Sequence, residues 1–598
     1  MSILSKSIAV LPFSNLSNVF ENEYFSDGIT EEIINALTKV KGLKVTAKTS
    51  SFAFKNKHID VREIGEQLGV STVLEGSVRF YNNKIRITTH LIRTDNGFHL
   101  WSSNFNRDLI DIFDLQDEIS LLIAENIREQ FGHLDIAEHL ATIDTRNVKA
   151  YKLYLQAKHL RHKWNTDDVA KATVFLKESI TIDNRFSEAY FELGWCYGMQ
   201  ASWGYIPKLE GLEKANYYIE KGLVLNPESY LGYYAKATIS FWGYWNYKDT
   251  FYYLEKSLAL NPNFSEVYNA TTDLYCALGL VDKALEENKK GLQVDPLSVN
   301  HHFTKGNLLY FKGYYNKAIQ AFNNALELNT SFALALEMKA AALILSKQEQ
   351  GLKDFLKTKP ILEKPETCKD IYNLMHKVSV FNVKKREVNA NTNYNDAAYI
   401  SLRLWNFYLQ IYLGNHELAL NILKQKIEQR SGQIFNFKND PFLEPLRQYS
   451  TYKNIEKQVF AKQKIPVLKN ETISVASTNP LNKDEIAYYT AKLKVAFTED
   501  QVFLNTNLTL KSLAETISLH PNKLSWLLNV SFNQNFNDFV NSYRLTHFKS
   551  IAVNPKNAHI TILGLAYDSG FNSKSVFNTF FKKEEHITPS KWLKNQLS

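Results

Sequence analysis

The chain has 598 residues, 44% hydrophobic, 22% charged and 13% aromatic, which excludes wholesale disorder and fibrous repeats and is too long for one compact core. A formal net charge of +8 is mild for this length, so any basic face is local rather than spread over the whole surface. The excess sits near the end, where residues 505–598 hold ten Lys and Arg against five Asp and Glu.

The three cysteines, Cys196, Cys276 and Cys368, form no C-x-x-C pair and supply neither a disulfide framework nor a four-cysteine zinc site; a reducing cytoplasm is the expected compartment. The apolar run at residues 8–13 is too short for a secretory segment, and no later window reaches the roughly 18 uninterrupted apolar residues of a membrane span. A soluble chain with no membrane partner is expected.

The first region alternates strand and helix signals. Residues 8–13 read as a strand, and Ile29, Ile33, Ile34 and Leu37 recur at helical spacing after a turn at Ser26-Asp27-Gly28. Residues 43–47 and 73–78 read as strands, and Tyr81-Asn82-Asn83-Lys84 supplies the positive φ of a tight turn that pairs 73–80 with 85–92. A small α/β domain over residues 1–135 follows. Asp27-Gly28 with Glu31 and Glu32 suits either a bound cation or a helix start charged to match its dipole, and the second reading is preferred. Gly65 and Gly69 lack the Lys-Ser/Thr that follows in a phosphate-binding loop. The motifs Ala9-Val-Leu-Pro-Phe13, Glu23-Tyr-Phe-Ser-Asp-Gly-Ile-Thr-Glu-Glu32, Thr49-Ser-Ser-Phe52, Leu74-Glu-Gly-Ser-Val-Arg79, His99-Leu-Trp-Ser102 and Gln116-Asp-Glu-Ile119 resemble the TolB N-terminal-like domain found before tetratricopeptide arrays in bacterial signalling proteins. That resemblance names no reaction.

The second region, residues 150–460, is repetitive. Asn226-Pro227, Asn261-Pro262, Asp295-Pro296 and Asn329-Thr330 recur at spacings of 35, 34 and 34, the period of tetratricopeptide repeats. Ala318, Phe322, Ala325 and Leu328 show the apolar seam each unit needs, and proline after Asn or Asp stops the second helix. Beyond Leu356 the period fades, while residues 399–429 still read as a helix pair around Leu413-Gly-Asn415. Trp195, Trp203, Trp242 and Trp245 read as repeat core rather than a ligand cage. His159 with His162, and His301 with His302, lack a third ligand, so no metal is expected there.

Residues 461–483 are rich in Ser, Thr, Asn and Pro without apolar periodicity and read as a linker. The last segment, 484–598, holds two copies of one pattern, a short helix, a turn and a second helix with a polar outer face. In the first copy Leu510, Leu513, Ala514 and Ile517 form the inner stripe, Ser518-Leu-His520 turns, and Pro521 opens a helix whose Leu524, Leu527 and Leu528 face inward. Asn522, Trp526 and Asn529 fall on the other side with Lys523 at the edge. In the second copy Ile562, Leu563 and Ala566 are expected to pack inward and Ser569-Gly570 to turn. Asn572 or Ser573 is expected to cap a helix that presents Lys574, Ser575, Asn578 and Lys582. Amide, hydroxyl and ammonium groups of this kind suit base edges and phosphates. A helical pattern over 535–552, about 25 Å long at 1.5 Å per residue, joins the copies, so two reading helices can enter successive major-groove faces about 34 Å apart.

The segments 535–545, 562–583 and Thr588-Pro-Ser590 resemble the DNA-binding domain of AraC/XylS-family bacterial transcription regulators. The resemblance implies sequence-specific binding of double-stranded promoter DNA and contact with RNA polymerase. It implies base contacts from Asn522, Lys523 and Trp526 in the first copy and from Ser573, Lys574, Ser575, Asn578 and Lys582 in the second. His520 replaces a usual capping Ser, Gly564 lies inside a helix, and Asn533 and His586 stand at positions commonly held by glycine.

The sequence therefore predicts a multidomain chain: an N-terminal α/β domain, a central all-α tetratricopeptide solenoid and a C-terminal all-α double helix-turn-helix. No catalytic motif, cofactor or metal site is read. The function expected is transcription regulation, with the repeats and first domain sensing an effector or recruiting a protein or peptide partner, and a homodimer among the assemblies. The alternative is a tetratricopeptide interaction scaffold whose DNA domain is accessory.

Overall fold

The computed structural model describes residues 6–17, 23–141, 144–161, 166–202, 204–358, 365–377, 403–460 and 479–597. Most of the expected linker, the stretch 378–402 and the residues His162 and Trp203 lie outside these.

The first apolar run forms β1 (Ser7–Val10), buried along its whole length. It pairs in parallel with β3 (Lys44–Val45) and β4 (Thr72–Tyr81), and the short β2 (Ser14–Asn15) also joins β4. Asn82, at φ 52°, turns β4 onto β5 (Lys84–Arg93), with Val73 opposite Ile92 and Tyr81 opposite Lys84 as the sequence predicts. Adding β6 (His99–Asp108) gives the strand order β3-β1-β4-β5-β6.

Helix α1 (Glu23–Thr38) and helix α4 (Ile112–Phe131) pack together over the sheet face that carries Ile8, Leu74, Val78 and Ile87. The other face, with Ala9 and Val73, carries α3 (Val61–Leu68) and Phe54, just past the short α2 (Lys48–Phe52). One expectation fails in α1: Ser26-Asp27-Gly28 forms no turn but lies inside the helix. Gly28 packs closely there: a Cβ would sit 2.4 Å from Leu155 Cδ1, so the Leu155 side chain would have to shift. The acidic residues accordingly do not charge a helix start. Lys55 Nζ donates to Asp27 at 2.6 Å, and Glu31 lies between Lys48 at 2.7 Å and Lys158 at 2.8 Å. Burial alone would raise the Glu31 carboxyl, but the charges of Lys158 and Lys48 overcome it and hold the group well below the ordinary range.

The repeats follow as helix pairs: α5 (Val148–Arg161) with α6 (Thr166–Ile182), α7 (Ser187–Ser202) with α8 (Lys208–Leu225), α9 (Tyr230–Thr238) with α10 (Tyr247–Leu260), and α11 (Ser265–Ala277) with α12 (Val281–Val294). Then come α13 (Val299–Phe311) with α14 (Tyr315–Leu328), α15 (Ala333–Leu345) with α16 (Glu349–Thr358), α17 (Pro365–His376), α18 (Trp405–Tyr412) with α19 (His416–Glu428), and α20 (Ser450–Phe460). Each pair buries its apolar faces on the next, which makes this a solenoid of stacked two-helix units. Of the tryptophans expected in the core, Trp245 is buried, Trp242 packs half-buried against Phe435 at 4.9 Å, and Trp195 lies 4.3 Å beneath the Arg161 guanidinium. His301 is buried and its pKa falls to about 4 because burial disfavours the imidazolium.

Both long edges of the solenoid are covered. The repeat-ending residues meet the first domain: Asn261 Nδ2 donates to Thr38 Oγ1 at 3.2 Å, and Asp295 accepts from Ser50 N at 3.0 Å. Along the opposite edge the chain after α19 folds back across the ends of α9, α11 and α13. There Asn439 Nδ2 donates to Cys276 O at 2.6 Å, and buried Arg403 meets Asp440 at 3.1 Å among Tyr310, Tyr408 and Phe442. The first domain and the early repeats share one continuous core, in which Phe25 and Phe113 pack on Tyr151. The C-terminal helices have two cores of their own.

Candidate nucleic-acid interface

The C-terminal domain opens at α21 (Lys483–Thr498), where Asn482 accepts from the N–H groups of Asp484 and Glu485 at 3.0 and 2.9 Å and Glu485 accepts back from Asn482 N at 2.8 Å. The first reading unit is α22 (Leu510–Thr516) and α23 (Pro521–Phe532), joined through Ser518 at φ 56°. His520 fills the place of the usual serine: its Nδ1 accepts from Asn522 N at 3.2 Å, so the start of α23 is capped after all. Leu510, Leu513, Ala514, Leu524, Leu527 and Leu528 are fully buried, as their spacing predicts.

The connecting helix α24 (Phe536–Ala552) belongs to both cores. Its first half gives Phe536, Phe539 and Val540 to the first, and its second half gives Leu545, Phe548 and Ala552 to the second. A helix buried at both ends in different cores cannot pivot without exposing one of them, and this fixes the two units relative to each other. Arg544, from the middle of α24, donates to Phe503 O at 2.8 Å and Asn505 O at 2.7 Å, and burial lowers its pKa to about 10.

The second unit is α25 (Ile562–Asp568) and α26 (Lys574–Glu585), closed by α27 (Pro589–Leu597). Ser573, not Asn572, is the cap, accepting from Val576 N at 3.2 Å. On α25 Leu565 and Ala566 are buried and Ile562 packs half-buried against the same core, as expected for Ile562 and Ala566; Leu563 is half-buried and Leu565 takes its place, because this two-turn helix is too short for its periodicity to fix a phase. Asn533 and His586 both take the left-handed conformation, at φ 51° and 58°, where glycine is the common residue.

The two reading faces differ in surroundings. On α26, Lys574, Ser575 and Lys582 are exposed and Ser573 and Asn578 half-exposed. Lys583, beside them, is also exposed but pairs with Asp538 of α24 at 2.8 Å, whereas Lys582 makes no such ion pair among the described residues. On α23, Asn522, Lys523 and Trp526 are all half-buried, and Trp526 leans on the first core.

The cover is α4 and the chain that leaves it. Asn522 Oδ1 accepts from the Arg128 guanidinium and from Ile136 N at 3.4 Å, and Asn522 Nδ2 donates to Ile136 O at 3.1 Å. Glu129 accepts from Leu510 N, the first residue of α22, at 2.8 Å. Asn529 lies against Gly132, whose φ of 99° and lack of a Cβ leave room for it. Arg128 is 1% exposed, and burial lowers its pKa despite Glu125 beside it. Burial likewise raises the Glu129 carboxyl to about 7, against the lowering effect of the Leu510 N–H. Sequence reasoning missed Arg128, Glu129 and Ile136. The separation from Asn522 is 394 residues for Arg128, and no local pattern carries such a contact.

Comparison with known proteins agrees with this geometry. Residues 513–595 match the family model of a Helix-turn-helix domain, and residues 4–122 match the second domain of HilA/YgeH-like transcriptional regulators. The chain thus has the domains of a DNA-binding transcription regulator. A curated protein of Rhizobium meliloti (strain 1021), "Putative adenylate cyclase 3", is 40% identical over 189 residues, covering 31% of this chain and 32% of that protein. The chain therefore spans about a third of that relative. Among solved structures, YrrB, described as a TPR protein with an unusual peptide-binding site, is 20% identical with TM-score 0.22 over 32% of this chain and 91% of its own. A thermophilic TPR protein of Thermus thermophilus is 16% identical with TM-score 0.28 over 33% of this chain and 99% of its own. No helix among the described residues is long and apolar enough to cross a membrane.

Proposed function

We propose that the chain is a sequence-specific DNA-binding regulator of the AraC/XylS type that reads promoter DNA with α23 and α26. The observation that supports this best is α24, one rigid helix seated in both reading units, with the polar face of α26 open to solvent. In this reading Asn522, Lys523 and Trp526 serve one half-site. Lys574, Ser575, Asn578 and Lys582 serve the other, with Ser573 both capping α26 and approaching phosphate.

The first domain, whose motifs resemble the TolB N-terminal-like module, and the solenoid form the sensing and recruiting part, with RNA polymerase, a protein or peptide partner and a second copy of the chain as expected contacts. The stretch shared with the cyclase-named relative is longer than the DNA-binding domain and so includes sensing-part residues. This fits a module attached to more than one kind of output. The chain itself acts by binding, without catalysis or cofactor.

Selection of duplexes from a random library with the full-length protein tests the reading: a preferred sequence motif is expected, and recovery of no sequence preference would overturn it. Formation of a cyclic nucleotide by the purified chain would overturn the non-catalytic part.

A further inference from the structure

The hydrogen-bonding groups of Asn522 are occupied in a particular way. An asparagine that reads adenine donates through its amide nitrogen to one ring acceptor and accepts through its oxygen from the neighbouring exocyclic N–H. Ile136 offers the same pair from its backbone, an N–H that donates to Oδ1 and a C=O that accepts from Nδ2 at 3.1 Å. The Arg128 guanidinium adds a charged donor to the same oxygen. Every bond the Asn522 amide would make to a base edge is thus already made to the first domain.

The groups beside this contact are polar, and α24 packs on α4 next to them. Glu129 on Leu510 N and Asn529 on Gly132 flank it, in contrast to the apolar core that binds the first domain to the solenoid. Polar interfaces between units with separate cores resemble transient ones, whose groups find water or another partner on release. Among the described residues the second reading face has no such cover: Lys574, Ser575 and Lys582 are exposed and Ser573 and Asn578 half-exposed.

We infer that the end of α4, with the backbone of Ile136, is a docking surface for the first reading helix that mimics a base edge and excludes duplex DNA from α23 while leaving α26 free. The inference rests on the proposed DNA-reading role of α23. DNA and the first domain then compete for one amide, and the measured affinity falls with the fraction of chains whose α23 is undocked.

The test uses the full-length chain and a labelled duplex recovered by selection with the wild type and with Glu129→Lys in parallel. Glu129→Lys removes the acceptor for Leu510 N and sets a positive charge against a helix N-terminus and Arg128, so it should open the contact from the first-domain side without touching the reading face. Tighter binding by at least about tenfold is expected, with protection of a second half-site appearing in footprints. As a second arm, Gly132→Cys with Asn529→Cys places two thiols where a Cβ on residue 132 would lie 3.4 Å from Asn529 Cγ, within reach of a disulfide; the native cysteines are all buried. Oxidation of that variant should weaken binding at least about tenfold and reduction should restore it. Equal affinity in wild type and Glu129→Lys, together with unchanged binding of the cross-linked form, would overturn the inference while leaving the DNA-reading function intact. If neither wild type nor Glu129→Lys selects any sequence, the DNA-reading function itself fails, and the inference with it.

Discussion

Asp295, the residue that closes one solenoid repeat, accepts from both the backbone N–H and the hydroxyl of Ser50, which lies in α2 of the first domain. The Ser50 hydroxyl in turn accepts from Leu297 N at 2.8 Å, so a repeat-ending position doubles as a socket for the neighbouring domain. Asn261 does the same one repeat earlier toward Thr38, and one repeat before that Asn226 reaches Asp144, in the segment joining the first domain to the repeats, at 3.2 Å. The punctuation that reveals the period in the sequence is therefore also the edge along which the first domain is mounted.

Removing that socket should loosen the mount. Asp295 is buried, and its replacement by Ala leaves the Ser50 N–H without a partner in a site that excludes water. A loss of about 1–3 kcal/mol is expected, read as a lower midpoint in urea unfolding. Asp295→Asn keeps an acceptor of the same shape. Because burial already raises the Asp295 carboxyl to about 6, losing the charge should cost little. Equal destabilisation by both changes would show that the carboxylate charge, which Asn also lacks, holds the contact.

The second reading unit depends on one glycine. Gly570 has φ 90°, and a Cβ there would lie 2.3 Å from the carbonyl oxygen of Phe503, a backbone atom that Arg544 also holds. Gly570→Ala combines left-handed strain with a clash that no rotamer relieves, so destabilisation of at least about 2 kcal/mol is expected. It should appear as a lower thermal midpoint and as lost DNA binding. Gly69, also at positive φ but with open space around its missing Cβ, provides the control, where Ala should cost only about 1 kcal/mol.

These positions show what the sequence makes legible. Both reading units, the hairpin at Asn82 and the repeat period follow from local spacing, because apolar periodicity and turn chemistry act over a few residues. The place of Leu563 on α25 escapes such reading for want of length, and the turn expected at Ser26-Asp27-Gly28 is instead the second turn of α1, closely packed on Leu155. The cover on Asn522 has no sequence signal. Arg128 and Glu129 look like the solvated end of an amphipathic helix until the chain brings α23 to them.

Within the exposed reading face, residues should separate by role. Lys582 is exposed and carries a mobile charge suited to phosphate, so Lys582→Ala should weaken binding to all duplexes alike and reduce the salt slope by about one. Asn578 presents a directional amide midway along α26, and Asn578→Ala should cost about 1–3 kcal/mol at one base pair while leaving nonspecific binding unchanged. Binding isotherms across a set of single-base variants at two salt concentrations distinguish the two. Matching profiles for both substitutions would contradict the assigned roles.

The contact that covers α23 should also respond to pH, through Glu129. Burial beside α22 raises its carboxyl from an ordinary 4.5 to about 7; the Leu510 N–H and Arg128 oppose the rise, while Glu125 adds to it. In so far as undocking returns this carboxyl to water, the docked state holds a proton that the open state releases between those values. Docking is accordingly strongest below the open-state value, and its protonation-linked part is lost as pH rises through about 7. Full-length protein should bind its duplex more tightly at pH 8 than at pH 6, after correction for the pH response of the phosphate contacts measured with Glu129→Lys. Glu129→Gln, which cannot ionise but still accepts a hydrogen bond, should hold the contact closed across that range and flatten the profile. A pH response unchanged by Glu129→Gln would place the titrating group elsewhere, with His133, whose pKa burial lowers and whose ring lies 3.3 Å from Asp135, as the next residue to replace.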